Sequence, residues 1–190
     1  YDEFLNIKNI KIGEDVNLVS NYYDQGDCLT SSVYGNGDSI DYEYDEFNRL
    51  KKATKIDDIY NYKYNNNGNL AKIISNNAII KYSYNLSGKL SEYRFNDFKI
   101  KYNYDSNDNV IGIKYNMNNL SNEITNNFND DDLIISTLFD NNKIDYSYDT
   151  IGRIKSSKIN DAYETNYEYL KNGKNTSAMI KSLTAGTDKF

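Results

Sequence analysis

YSYNLSGKLSEYRFNDFKIKYNYDSNDNV, residues 82–110, states one phrase twice. Tyr82, Ser83, Tyr84 and Asn85 return twenty residues on as Tyr102, Asn103, Tyr104 and Asp105. Between the two copies, aromatic and β-branched residues flank Asn96 and Asp97. Such residues suit a pleated, half-buried surface, and Asn is the non-glycine residue that best tolerates the positive φ of a tight hairpin turn. The stretch therefore predicts two strands folded at Asn96–Asp97 and a second kind of turn after each Tyr-x-Tyr.

The same phrase recurs as YEYDEFNRL (42–50), YKYNNNGNL (62–70), YSYNLSGKL (82–90), YNYDSNDNV (102–110) and YSYDTIGRI (146–154). Its candidate motif residues are Tyr42, Tyr44, Asp45, Tyr62, Tyr64, Gly68, Tyr82, Tyr84, Gly88, Tyr102, Tyr104, Asp105, Tyr146, Tyr148, Asp149, Gly152 and Arg153. Weaker copies fill the gaps at Tyr1–Ile7, Tyr23–Leu29, Phe128–Ile134 and Tyr167–Tyr169 with Gly173. About nine units of ~20 residues tile residues 1–190 as a single array, and a period of about 20 to 50 residues marks a repeat architecture whose units bury surface against their neighbours. With the frame already running at Tyr1, the chain reads as an excerpt of a larger protein.

Each unit reads as a hairpin. Turns are expected at Asn76–Asn77, Asn96–Asp97, Asp57–Asp58, Asn141–Asn142 and Asn160–Asp161, and no proline interrupts the ladders. A turn at Asn76–Asn77 places Ile73 opposite Ile80 on one face and Lys72 with Lys81 on the other. A turn at Asn96–Asp97 likewise gathers Tyr93, Ile100 and Tyr102 on one face, with Glu92, Arg94, Lys99 and Lys101 on the other, and the tyrosine face is expected to be markedly the more buried. Leu70 and Leu90 fall on the polar face in this register unless a bulge beside the Tyr-Asx turn flips them. About eighteen strands exceed the ~10 that an open sheet carries without curling, so the expected fold is all-β: tandem antiparallel hairpins in a curled, spiralling sheet, a shell or barrel segment. Open edges near Tyr1 and beyond Tyr169 favour self-association, and the tail 175–190, where the repeat grammar fades, reads as the least regular part.

Composition narrows the chemistry. The 190 residues hold 20 Tyr and 7 Phe at a mean hydropathy of -0.81, so aromatic rings with polar tips supply most of the large surface available for burial. With no His, histidine-based catalysis is excluded, and the single Cys28 has no partner for an intramolecular disulfide or a Cys-x-x-Cys metal site. A net charge of -6 gives no footprint for nucleic acid, and no apolar run approaches the ~20 residues of a membrane helix. No residue set pairs an activated nucleophile with a base, so no catalytic residue, cofactor or metal is expected and the segment reads as non-enzymatic. The Asx clusters Asp105–Asn109 and Asp130–Asp132 have oxygen ligands but not EF-hand spacing, and read as solvated turns.

The phrase Tyr-x-Tyr-Asp-x-x-Gly-Arg-Leu/Ile, nearly ideal at Tyr146–Ile154 and close at Tyr42–Leu50, resembles the YD repeat of the Rhs family. That family includes Rhs toxins, shell-forming subunits of insecticidal toxin complexes, wall-associated proteins and teneurins. The resemblance covers essentially the whole chain. It implies a hairpin array spiralling into a shell, often a cage around a C-terminal toxin, in a secreted or cell-surface protein. It also implies partners in the rest of the polypeptide, in such a toxin, or among surface glycans. One departure stands out: the family's closing core carries an Asp-Pro-x-Gly motif, and this chain has no proline. The leading expectation is a structural wall. The alternative is a carbohydrate- or cell-surface-binding repeat that stacks sugars on its tyrosines, though such repeats usually depend on Trp, which is absent.

Overall fold

The structure is a computed structural model that describes the chain apart from Asp15, Asn119, Gly173, Lys174, Thr187 and Phe190. Among the described residues every regular element is a strand, and the chain divides into two compact units, Tyr1–Asn96 and Asp97–Phe190. The first unit holds β1 (Asn9–Ile12), β2 (Val16–Tyr23), β3 (Leu29–Tyr34), β4 (Ser39–Tyr44), β5 (Leu50–Lys55), β6 (Asp58–Tyr64), β7 (Leu70–Ile74), β8 (Ile79–Tyr84) and β9 (Leu90–Phe95). Each pairs antiparallel with the next in chain order. The second unit repeats that meander through β10 (Phe98–Tyr104), β11 (Val110–Met117), β12 (Leu120–Phe128), β13 (Ile134–Phe139), β14 (Asn142–Tyr148), β15 (Ile154–Ile159), β16 (Tyr163–Asn172), β17 (Asn175–Ala185) and β18 (Asp188–Lys189).

The expected register holds at the Asn76–Asn77 hairpin. Ile73 faces Ile80 and Lys72 faces Lys81 across β7 and β8. Asn96 takes φ +50° in the connection between β9 and β10, where the first unit ends. Two connections sit one residue earlier than the sequence implied. Lys55 pairs with Asp58, so the turn is Ile56–Asp57 and not Asp57–Asp58; Phe139 pairs with Asn142, so the turn is Asp140–Asn141 and not Asn141–Asn142. The first has Ile56 at φ +50°, a conformation that β-branched side chains resist and that propensity therefore steers away from.

The bulge that Leu70 required is present and recurs. The ladder slips between Lys63 and Tyr64, so that Tyr64 faces Leu70 while Lys63 faces Lys72, and Ala71 is the extra residue. The same slip sets Tyr44 opposite Leu50, Tyr84 opposite Leu90, Tyr104 opposite Val110 and Tyr148 opposite Ile154. One inserted residue turns the leucine to the tyrosine side.

Burial is shallower than expected. Tyr82, Tyr84, Tyr93, Ile100, Tyr102 and Tyr104 are half-buried while Lys81, Arg94 and Lys101 are exposed, but Lys72, Glu92 and Lys99 are half-buried too. The contrast between faces is thus graded: long aliphatic stems lie along their neighbours, and the tyrosine rings remain partly open to solvent. Among the described residues the buried side chains are small ones, Ala53 at 8% exposure with Ser32, Ser136 and Ser182. Ala53 sits between Tyr42 and Tyr60, whose rings need a small neighbour in order to lie over the sheet.

The repeat ends differently at its C-terminal copy. Tyr169 is followed by Leu170, and β16 runs on to Asn172 with no Asx turn, while Gly173 lies outside the described residues. The segment read as least regular forms β17 and β18.

Candidate functional site: the tyrosine stitch

The five-residue turn after each Tyr-x-Tyr is built around one carboxylate or carboxamide oxygen. In the turn Asp45–Arg49, Asp45 Oδ1 accepts from the backbone N–H groups of Phe47 (2.9 Å) and Arg49 (3.0 Å). The backbone closes around it, with Asp45 N–H donating to the Arg49 carbonyl and Asn48 N–H to the Asp45 carbonyl. The turns that begin at Asp2, Asp24, Asn65, Asp105, Asn129 and Asp149 share this pattern, with Oδ1 accepting two residues and four residues on. Asn85 makes the four-residue contact to Lys89. An Asx residue is needed here because its short side chain reaches amides that the bend leaves without partners.

The fourth turn residue explains the glycine of the motif. Gly68, Gly88 and Gly152 take φ of +83°, +79° and +80°, where a Cβ is unwelcome, yet Asp27, Asn48, Asp108 and Asp132 occupy the same place at +61°, +58°, +69° and +58°. Positive φ is the requirement, and Asx meets it nearly as well as Gly.

In most copies the second tyrosine joins its repeat to the one before. Its hydroxyl donates to the carbonyl of the residue that follows the preceding turn: Tyr23 to Ile7 (3.1 Å), Tyr44 to Leu29 (2.9 Å), Tyr64 to Leu50 (2.8 Å) and Tyr84 to Leu70 (2.8 Å). Tyr148 reaches Ile134 (2.7 Å) and Tyr169 reaches Ile154 (2.8 Å) in the same way. Apart from Ile7, which precedes β1, these acceptors sit where the bulge disturbs the ladder, so the hydroxyl satisfies a carbonyl that pairing serves poorly. Burial raises the pKa of Tyr44, Tyr64 and Tyr148, as it does those of Tyr62 and Tyr82, whose neighbouring tyrosines add to the effect. All five stay protonated and able to donate at neutral pH. The first tyrosines of the phrase line the same face, and Tyr82 meets Tyr93 edge-on with ring centroids 5.7 Å apart.

The fifth turn residue reaches forward. Arg49 pairs with Asp45 and lies over the ring of Tyr64, 4.4 Å from its centroid; Arg153 pairs with Asp149 and lies 4.2 Å over Tyr169. At two of the turns with Asn in that place an amide does the reaching: Asn6 donates to Asp27 (3.0 Å) and Asn109 to Asp132 (2.6 Å). Asp105 and Asp132, whose clusters read as solvated turns, spend their oxygens on the turn and on this bridge. Among the described residues no group of three or more His, Cys, Asp or Glu stands close enough to hold a metal ion.

The seventeen motif residues therefore occupy three structural places: rings on one face within each unit (Tyr42, Tyr44, Tyr62, Tyr64, Tyr82 and Tyr84 in the first, Tyr102, Tyr104, Tyr146 and Tyr148 in the second), oxygens that close turns (Asp45, Asp105, Asp149), and the positive-φ or bridging residues (Gly68, Gly88, Gly152, Arg153). The sequence marked these positions but not what the hydroxyls and arginines touch. The second tyrosines reach backbone carbonyls 14 to 16 residues back, which leave no side-chain signature.

No family model matches the chain, and no curated protein does. Solved structures do. A Photorhabdus luminescens Tc holotoxin pore superposes at TM-score 0.69 over 81% of this chain with 18% identity. The TcdB2–TccC3–Cdc42 structure reaches 0.73 over 88% at 16%, and TcdB2–TccC3 without its hypervariable C-terminal region reaches 0.73 over 86% at 16%. The chain spans only 10% of the length of each. The likeness establishes that the fold is theirs, the all-β hairpin array expected from the YD phrase.

Proposed function

We propose that a chain with the hairpin array of the TcdB2–TccC3 structures works as they are built, as a length of wall. In this reading it is a YD-repeat module of a larger, secreted or surface-exposed Rhs-like polypeptide, curving into a β-shell that encloses a C-terminal toxin or presents a rigid surface. It performs no catalysis. The observation that carries the reading is the stitch: hydroxyls and fifth-turn residues that spend themselves on the neighbouring repeat, leaving an array whose parts recognise one another. The test uses the longest natural polypeptide that contains this segment. Electron microscopy should show a hollow particle, and limited proteolysis should spare sequence beyond the repeats until the wall is opened with denaturant. A solid rod whose downstream sequence is cut at once would sink the proposal.

A second reading is favoured by the open tyrosine face, where Tyr60 is 38% and Tyr163 76% exposed. Rings so placed could stack sugars from a surface glycan. Saturable binding of a defined oligosaccharide, abolished by Tyr60→Ala or Tyr163→Ala, would favour this reading over an inert wall.

A further inference from the structure

The charges on the face opposite the tyrosines follow one pattern outside a single stretch. Cross-strand neighbours there are mostly of opposite sign: Glu43 faces Lys52 with an ion pair of 2.9 Å, Glu123 faces Lys114 at 3.2 Å, and Lys158 lies between Asp145 and Glu164. Lys114 also faces Lys101, but Glu123 on its other side offsets that contact. Across β6 to β9 the pattern fails. Lys63 faces Lys72, Lys72 faces Lys81, and Lys81 faces Arg94, three like-charged pairings in succession.

Directly opposed like charges destabilise a sheet, so this row works against the fold. Arg94 has a partner in Glu92 at 2.8 Å; among the described residues no carboxylate lies within ion-pair distance of Lys63, Lys72 or Lys81. Lys63, Lys81 and Arg94 are exposed. With strands about 4.8 Å apart the four cations span roughly 14 Å across the strands, in a chain whose net charge is -6.

The end of the row at Lys81 and Arg94 opens into a shallow cavity of about 470 Å³, where Ile74 and Ile79 supply apolar surface and Asn76 and Asn77 supply amides. Nucleic acid and glycans would want aromatic platforms, and the tyrosines that line the row's own strands, Tyr62, Tyr64, Tyr82, Tyr84 and Tyr93, all lie on the opposite face. An open, flat row of flexible cations flanked by apolar and amide groups suits an extended chain that alternates carboxylates with apolar side chains.

We propose that the row Lys63–Lys72–Lys81–Arg94 with its adjoining cavity is a docking site for an extended acidic polypeptide segment. The proposal is independent of the wall reading, since it uses the other face and none of the stitch. The probe is a fluorescent peptide alternating Glu and Val, followed by anisotropy on the full chain at low and raised salt, with urea unfolding run on the same samples. Wild type should bind saturably and release on raising the salt. Lys72→Glu converts two like pairs into opposite ones, so it should weaken binding about tenfold or more while moving the urea midpoint upward. Lys72→Ser, which adds no charge, should give the smaller loss and serves if the first variant misfolds. The pair Lys51→Glu with Lys155→Glu, exposed residues outside the row, should leave binding within about twofold. Affinity unchanged in Lys72→Glu and Lys72→Ser, or equal loss in the Lys51/Lys155 control, overturns the proposal. Tighter binding of a single-stranded oligonucleotide or a sulfated glycan at the same row overturns it in favour of that ligand.

Discussion

The repeat that turns at Asn65 and the one that turns at Asn129 solve one problem with different residues. In the first, Tyr62 and Tyr64 lie on one face, the Tyr64 hydroxyl donates to Leu50, and Arg49 covers the ring. In the second, the phrase reads Asn126, Asn127, Phe128, and Phe128 has no hydroxyl to give. Asn126 replaces it: its amide donates to the Val110 carbonyl at 2.9 Å and its oxygen accepts from Thr137 at 2.9 Å. The carbonyl after the preceding turn is served in both. What the array preserves is a donor for that carbonyl, and the tyrosine is one way of supplying it. The copy that sequence reading ranked as weak is structurally complete.

The comparison breaks most visibly at Tyr64. Tyr64→Ala removes a half-buried ring, the hydroxyl bond to Leu50 and the surface under Arg49, and should cost about 2 to 3 kcal/mol, the loss for a buried aromatic scaled down for exposure. Phe128→Ala removes a ring alone and should cost clearly less. Urea unfolding of both variants decides it, and equal losses would mean that the hydroxyl and the arginine contribute nothing beyond the ring.

Next in size is the donor itself. Asn126→Ala leaves the Val110 carbonyl and the Thr137 hydroxyl without their partner in one change, for about 1 to 3 kcal/mol. Tyr64→Phe deletes one hydroxyl bond and keeps the ring, for about 0.5 to 1.5 kcal/mol. The order of these two midpoints tests whether the asparagine is the more heavily used group.

These contrasts also mark what could be read beforehand. Periodicity, the hairpin at Asn76–Asn77 and the need for a bulge at Leu70 were legible because each is a matter of side-chain type and facing. The offset at Ile56–Asp57 was not, since the turn puts positive φ on a residue that resists it while two aspartates stand just beyond. Nor was Asn126, whose role depends on a carbonyl sixteen residues away and a threonine across the strand. The half-exposure of the tyrosine face escaped because alternation predicts which side is apolar and not whether anything covers it.

Acid should separate turns closed by Asp from turns closed by Asn. The hydrogen bond from Arg49 holds the Asp45 carboxyl below its ordinary pKa, with burial opposing and the N–H groups of Arg49 and Phe47 assisting. Burial pushes Asp149 upward, but the N–H and guanidinium of Arg153 and the N–H of Ile151 together outweigh it, so its pKa also falls. A folded-state pKa below the unfolded value contributes stability that is present above the ordinary carboxylate pKa and lost as pH drops through the lowered one. Stability should therefore fall on acidification below that range, and Asp45→Asn should flatten the acid limb, as Asn65 already does in its own turn. A pH series of urea midpoints in which the variant tracks wild type would count against the turn carboxylates as the cause.

The smallest effect expected is a gain. Phe128→Tyr would restore the phrase at the one copy where its second tyrosine is a phenylalanine, but the Val110 carbonyl already accepts from Asn126. A carbonyl has two lone pairs, and the chain shows how both are used: the Ile7 carbonyl accepts from Asn21 at 2.8 Å and from Tyr23 at 3.1 Å, in a repeat that has both groups. The second bond there is the longer, and a second donor relieves no unsatisfied group. Phe128→Tyr should therefore stabilise by no more than about 1 kcal/mol, while in the Asn126→Ala background it should recover a larger share, because the hydroxyl then serves an otherwise empty acceptor. A double-mutant cycle reads that difference directly. If the new hydroxyl gains the same amount in both backgrounds, the two donors do not share the carbonyl, and the equivalence drawn between the tyrosine and asparagine repeats fails.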